Sequence, residues 1–379
     1  MKIVVAIDSF KESLSSKEAA KAVKEGILKV EKEAEVIIFP VADGGEGTVD
    51  ALVCGMNGVM QTVKVTGPLG ENIECKYGMI PETKMAVIEM AQACGLALID
   101  KEKRNPMITT TFGVGEMILD AIGKGCRKII LGIGGSATND GGIGMLQALG
   151  FDCVDQNGDP VPYGAKGLSL LKNITDKNAA KELKECQFRI ACDVVNPLCG
   201  ETGCSRIFGP QKGADNDMVR KMDLWMKYYA EISRKYNPKA DPDYPGSGAA
   251  GGIGFAFLTF LNSSLESGIH IILEETNLEE KIKEADLVIT GEGCMDEQTS
   301  MGKTPSGVAA LAKKYSCPVI AFAGCVKDGA HKCHECGIDA YFPILRMPVT
   351  LEEAMDRDHA YKNMVNCVEQ VMRVWKMKG

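Results

Sequence analysis

A set of short apolar runs, each leading into a glycine-rich loop or a helical pattern, constrains this chain more than any other feature. Residues 2–7, 35–39, 128–131, 287–290, 318–322 and, weakened by Pro343, 341–345 are rich in β-branched side chains and lack polar alternation. Strands buried on both faces read this way, because neither face meets water. Between them, residues 16–31 and 308–315 space their apolar positions at helical period. Strand alternating with helix predicts an α/β, doubly wound architecture. Residues 61–90 differ: 62–66, 74–79 and 85–90 alternate, separated by GPLGEN and PETK turns, which predicts an antiparallel or mixed sheet. At 379 residues and 40.7 kDa the chain exceeds what one core usually serves. The expectation is two α/β domains. Residues 1–60 with 275–379 would form a Rossmann- or flavodoxin-like domain with a parallel sheet, and 61–274 a mixed-sheet domain inserted in it.

A net charge of −8 and a pI near 5.3 argue against general affinity for nucleic acid or anionic membrane. They leave room for local anion binding at helix N-termini. The first apolar run meets Asp8 too early for a signal segment, and no stretch approaches the roughly 18–20 apolar residues of a membrane span. A cytoplasmic protein is expected, with its 15 scattered cysteines as reduced thiols.

Open α/β sheets bind ligands beyond the carboxyl ends of their strands, so the loops there are the candidate site. The first, Asp8-Ser9-Phe10-Lys11 with Ser13, Ser15 and Ser16, enters a helix for which Ser15 or Ser16 is a candidate N-cap. Lys11 would lie near a phosphate and Asp8 near a metal or hydroxyl; a capped helix with solvated charges explains that segment equally well. The second, residues 40–48, carries Asp43, Gly44, Gly45, Glu46 and Gly47. Its glycines permit close backbone approach and its carboxylates suit Mg²⁺ or a substrate hydroxyl; a tight capped turn is the plainer alternative. The third, residues 132–142, holds Gly134, Gly135, Ser136, Asn139 and Asp140 ahead of a helical stretch, an arrangement suited to an anion. Gly132, Gly134 and Ala137 also satisfy G-x-G-x-x-A, although Asp140 and the glycine pair after it do not belong to a dinucleotide fingerprint.

The fourth pairs Asp193, at the end of an apolar run, with Lys212 in a Pro/Gly-framed segment that a turn explains as well as a phosphate contact does. The fifth, residues 245–252, matches G-x-G-x-x-G by letter but follows a Pro- and Asp-rich stretch instead of a strand, and reads as a loop entering a helix. The sixth, residues 291–299 and 302–305, contains Asp296 and Lys303; its GKT is not a Walker loop, since the first glycine would fall at Glu297. Ser136 has Thr138 two residues on, so no nucleophile elbow exists. None of His270, His331, His334 and His359 lies in a glycine-rich loop, so a general base should be a carboxylate. His331, Cys333, His334 and Cys336 lack a second C-x-x-C and read as a surface helix ahead of a metal knuckle.

In order along the chain stand DSFKESLSS, PVADGGEGT, VTGPLG, IGGSATNDGGIGM, ACDVVNPLCG, FGPQKGA, PGSGAAGGIG and GEGCMDEQTSMGKTPSGVA. Together they resemble the bacterial glycerate kinase family of galactarate and glyoxylate metabolism, over nearly the whole chain. The chain departs from the family at Glu12 and at Cys294, where relatives read glycine and arginine; the second change removes a candidate phosphate or carboxylate contact. The resemblance implies two α/β domains with the site in the cleft between them. It also implies ATP with Mg²⁺ as donor and D-glycerate as acceptor, giving 2-phosphoglycerate in preference to 3-phosphoglycerate. On that reading Asp193 or Asp296 is the base, Lys11 and Lys303 neutralise charge, and Gly134, Gly135 and Ser136 cradle phosphate. Asp43 or Glu46 would lie near the metal or the substrate hydroxyls, with Asp43 and Asp296 as the metal candidates. The rivals are a nicotinamide-dependent oxidoreductase and a non-catalytic metabolite-binding regulator. Nucleic acid and membrane are not expected partners, and a homodimer is the candidate assembly.

Overall fold

The computed structural model describes residues 1–10, 13–42, 44–45 and 47–377. Their strands are β1 (Lys2–Val5), β2 (Glu35–Ile38), β3 (Val59–Thr66), β4 (Asn72–Ile80), β5 (Met85–Glu89), β6 (Lys128–Gly132), β7 (Asp152–Val154), β8 (Asn173–Thr175), β9 (Gln187–Ala191), β10 (Ser263–Glu266), β11 (Leu287–Met295), β12 (Val319–Val326) and β13 (Ala340–Pro343). The chain divides into two compact units, residues 1–43, 50–56 and 267–379, and residues 44–49 with 57–266.

The first unit holds a wholly parallel sheet in the order β13-β12-β11-β1-β2. Counted along this unit's own strands, that is the 2-1-3-4-5 order of flavodoxin-like folds, whose ligand crevice opens where the order reverses. Here the reversal falls between β1 and β11. Ile3, Val4, Val5, Leu287 and Val288 are fully buried, which is why these strands show no polar alternation.

Helix Ser16–Leu28 starts at Ser15, whose Oγ accepts the Glu18 N–H (3.3 Å) while the Glu18 carboxylate accepts the Ser15 N–H (2.9 Å), a reciprocal capping box. Its buried face carries Ala19, Ala20, Val23 and Ile27. Helix Arg357–Lys376 lies against it so closely that a Cβ on Gly26 would fall 2.7 Å from the Val365 carbonyl oxygen. The sequence reading did not single out this second helix, although Ala360, Met364, Val365, Val368 and Met372 recur at helical spacing on its buried side.

One expected loop proves to be strand. Residues 291–295 continue β11 in register with β12, pairing Gly291 with Phe322 and Cys294 with Cys325. The continuation needs glycine at position 291: its φ is +157°, and a Cβ there would sit 2.0 Å from the Phe322 carbonyl oxygen.

The second unit is a mixed sheet in the order β10-β9-β6-β5-β4-β3. β3, β4 and β5 run antiparallel through the predicted turns, and β5, β6, β9 and β10 run parallel. β7 and β8 form a separate antiparallel pair. The core joins sheet residues such as Ile88, Leu131 and Ile190 to helix residues such as Met117, Ile253 and Tyr229.

Candidate functional site

In the first unit the β1–β11 ladder runs past the end of β1: Ala6 N–H donates to Ile289 O (2.8 Å) and Asp8 N–H to Gly291 O (2.9 Å). Asp8 therefore sits at the reversal point of the sheet. Its Oδ1 accepts the Ser9 N–H (2.6 Å), and its Oδ2 accepts the hydroxyl of Thr304 (3.0 Å). Thr304 opens helix Thr304–Lys313, with Pro305 in the first turn and Lys303 at the N-cap. A carboxylate beside a helix N-terminus is stabilised by the unpaired N–H groups there. Asp8 and Lys303 thus meet through Thr304. The sequence reading quoted Thr304 within the GKT of the sixth motif without giving it a role, although Thr-Pro is an ordinary helix start.

Asp296 follows β11 and caps the turn Glu297–Met301. Its Oδ1 accepts the Gln298 N–H (2.9 Å), its own N–H donates to Thr299 Oγ1 (3.0 Å), and Thr299 donates to Glu292 Oε1 (2.5 Å). These bonds, with the Thr299 N–H that the Asp296 side chain also accepts, fix the carboxylate's direction. With Glu297, Gln298, Val326, Lys327 and Asp328 it lines a cavity of about 550 Å³. Lys332 forms an ion pair with Glu297 beside it. Cys294, two residues back, is half-buried, and burial pushes its thiol up to about 11.

In the second unit the parallel strands end at Glu89, Gly132, Ala191 and Glu266. A Cβ on Gly132 would meet the Gly44 carbonyl oxygen at 2.3 Å, and one on Gly134 would lie 3.3 Å from Gly45 Cα. The Gly44–Gly45 segment therefore packs backbone to backbone on the end of β6. Buried Glu89, a partner missed in the sequence, accepts the Val49 N–H (3.0 Å). Gly134 and Gly135 are exposed, and Gly135 has φ +72°. Ser136 behind them accepts a hydrogen bond from Lys212 Nζ (2.9 Å), which also donates to Thr138 O (2.6 Å). Lys212 is 2% exposed, and burial pulls its pKa down to about 8.

Asn139 and Asp140 are completely buried. The Asn139 amide donates to Ser205 Oγ (2.8 Å). Asp140 accepts from Thr111 N–H (2.9 Å), Thr111 Oγ1 (2.8 Å), Gly142 N–H (3.1 Å) and Gly144 N–H (3.4 Å). Burial pushes its carboxyl above the ordinary range, and these donors work against that shift. Both residues brace the glycine loop from within. Residues 250–252 add a further brace. Ala250, Gly251 and Gly252 are all left-handed (φ 51°, 72° and 94°), Gly251 O accepts the Gly141 N–H (2.9 Å), and a Cβ on Gly251 would strike Thr138 O at 2.2 Å. Asp193 stands exposed beyond β9.

Lys11, Asp43 and Glu46 lie outside the described residues. Among those described, no group of three or more His, Cys, Asp or Glu side chains is placed to hold a metal. Around the turn Ala330–His334, the His334 ring meets Ile338 O (2.8 Å) and Cys336 donates to Ser300 O (3.2 Å). No helix among the described residues is long and apolar enough to cross a membrane. Each unit thus ends its parallel strands in a polar edge: one carries Asp8, Lys303 and Asp296, the other the glycine backbone of Gly44, Gly45, Gly134 and Gly135 with Ser136 held by Lys212. Fixed carboxylates suit a hydroxyl or a cation, and glycine backbone such as that of exposed Gly134 and Gly135 suits phosphate oxygens.

The glycerate kinase family profile matches residues 3–376. A glycerate 2-kinase of Escherichia coli is 49% identical over 354 residues, 93% of each chain. A glycerate kinase of Haemophilus influenzae is 44% identical over 378 residues and the full length of both. A crystal structure of a candidate glycerate kinase 2 from Salmonella typhimurium LT2 superposes with a TM-score of 0.88 at 42% identity, covering 100% of this chain and 99% of that one.

Proposed function

This chain belongs to the glycerate kinase family, and on that premise we propose that it transfers the γ-phosphoryl group of ATP to the 2-hydroxyl of D-glycerate. The observation that carries this reading is the family match over residues 3–376, which takes in every glycine-rich loop described above. The 2-position is favoured by the name of the Escherichia coli relative, glycerate 2-kinase. The cytoplasm is the proposed location.

Phosphoryl transfer depends mainly on positioning and charge neutralisation. Gly134, Gly135 and Ser136 cradle phosphate oxygens through backbone N–H groups and a hydroxyl, and Lys212 acts from behind by holding Ser136. Lys11 and Lys303 neutralise developing charge. Asp8, Ser9, Asp43, Gly44, Gly45 and Glu46 orient the acceptor. A carboxylate, Asp193 or Asp296, takes the hydroxyl proton; the fixed direction of Asp296 and its place in the wall of a cavity support it for contact with substrate or cation.

Mg²⁺ is commonly held by one or two carboxylates together with substrate phosphates; Asp296, on a cavity wall, and Asp43 are the residues that would hold it. Bound there, it would neutralise charge on the phosphate oxygens.

The test is turnover of Asp193→Asn and Asp296→Asn by glycerate-dependent ADP release, with folding checked by thermal melting. The base variant should lose about 10²–10⁴ in kcat with its Tm kept. Wild-type turnover in both variants defeats the assignment.

A further inference from the structure

The strand pair that carries Asp296 also carries two thiols. Cys294 and Cys325 are direct partners in the β11–β12 ladder, and their Sγ atoms lie 2.8 Å apart. Adjacent strands run about 4.8 Å apart, which places partner Cα atoms inside the roughly 4.4–6.8 Å span of disulfide-bonded cysteines. Both side chains are only half-buried. Other cysteines differ: Cys75, Cys94 and Cys204 are sealed in the core, each thiol donating to a backbone carbonyl. Cys336 donates to Ser300 O, and the Cys333 thiol lies 4.0 Å from Asp296 O.

We propose that Cys294 and Cys325 form a reversible disulfide that lowers turnover, the oxidant being a low-molecular-weight disulfide such as oxidised glutathione. One cysteine thiolate attacks the small disulfide and expels a thiolate, which takes up a proton. The second cysteine thiolate attacks the resulting mixed disulfide and expels the other half. Two protein thiols are oxidised to one disulfide, and one small disulfide is reduced to two thiols. A dithiol reductant reverses the exchange.

The pair precedes the cavity lining on both strands: Cys294 comes two residues before Asp296, and Cys325 comes directly before Val326 and Lys327, all three of which line the cavity. Closing the sulfurs from 2.8 Å to about 2.05 Å ties the end of β11, which leads into Asp296, covalently to β12 and restrains its position. Misplacement by about 1 Å can cost a reaction ~10²-fold, so a fall in kcat of roughly tenfold or more is expected. This consequence rests on the reading of Asp296 as part of the site; formation of the bond does not.

The full-length protein is incubated with oxidised glutathione, alkylated, digested without reduction and mapped by mass spectrometry, with kcat followed in parallel. The expected result is a Cys294–Cys325 crosslinked peptide, the loss of two of the 15 titratable thiols, lowered kcat and recovery with dithiothreitol. Cys325→Ser should keep basal activity while losing both the crosslink and the inhibition. Absence of the crosslinked peptide overturns the proposal, as does inhibition of Cys325→Ser equal to that of the wild type. A crosslink with unchanged kcat overturns the regulatory step and leaves the kinase reading standing. Reduced protein without glycerate-dependent turnover defeats both.

Discussion

Replacing Asp140 with Asn removes one charge from the middle of the second unit and nearly no volume. In the wild type, Oδ2 accepts from Thr111 N–H, Thr111 Oγ1 and Gly144 N–H, and Oδ1 accepts from Gly142 N–H. The best placement of an Asn amide keeps its oxygen at the three-donor position and turns its NH₂ toward Gly142, donor against donor. One hydrogen bond to a charged group is lost, worth about 1.5–3 kcal/mol. The other three fall from charge-assisted to neutral strength, roughly half as strong. Relief of the burial that raises the Asp140 pKa acts in the opposite direction. The net expectation is a destabilisation of about 2–4 kcal/mol. Urea unfolding should show a lower midpoint with an unchanged slope. Because Asp140 braces the loop of Gly134–Ser136 and never reaches the surface, kcat should also fall, while Asp140→Glu, one methylene too long for a sealed site, should not rescue it. Stability within about 0.5 kcal/mol of wild type would refute the claim that this carboxylate organises the loop.

Three further outcomes follow from the same structure. Gly26→Ala adds a methyl 2.7 Å from the Val365 carbonyl oxygen and the Val368 Cβ; despite Ala's better helix propensity it should cost about 1–3 kcal/mol in a denaturant melt. Lys212 has a folded pKa near 8, below its unfolded value. The unfolded chain therefore binds more protons between about pH 8 and 10.5, and the Lys212 contribution to stability rises with pH across that window. Urea melts at pH 7.5 and 9.5 should show wild type gaining on Lys212→Met by up to about 2 kcal/mol; a constant difference would show that the ammonium is not desolvated as described. Thr304→Val deletes the hydroxyl that Asp8 Oδ2 accepts, and should raise KM or lower kcat with little change in Tm.

The sheets were legible in the sequence where burial left a plain signature. The unbroken apolar runs at β1 and β11 report strands covered on both faces, and the GPLG and PETK turns report the antiparallel β3–β4–β5 meander. The strand order was not legible, because pairing of β1 with β11 joins residues nearly 300 positions apart; the Asp8–Thr304 bond alone spans 296. For the same reason the Lys212–Ser136 contact, 76 residues apart, was visible only as two separate motifs. Composition misdirects most where one residue type serves two purposes. Gly291 reads as loop but permits a strand to continue under a neighbouring carbonyl. Asn139 and Asp140 read as ligand contacts, yet they are sealed inside, holding in place the exposed glycines that precede them.

The proposed reaction transfers phosphate to the 2-hydroxyl of glycerate. Purified protein with ATP, Mg²⁺ and D-glycerate, followed by ³¹P NMR, tests it directly. ADP should form only when glycerate is present, together with a phosphomonoester resonance split by the single proton on C2. A resonance split by two C3 protons would contradict the proposed position, and no glycerate-dependent ADP would contradict the function itself.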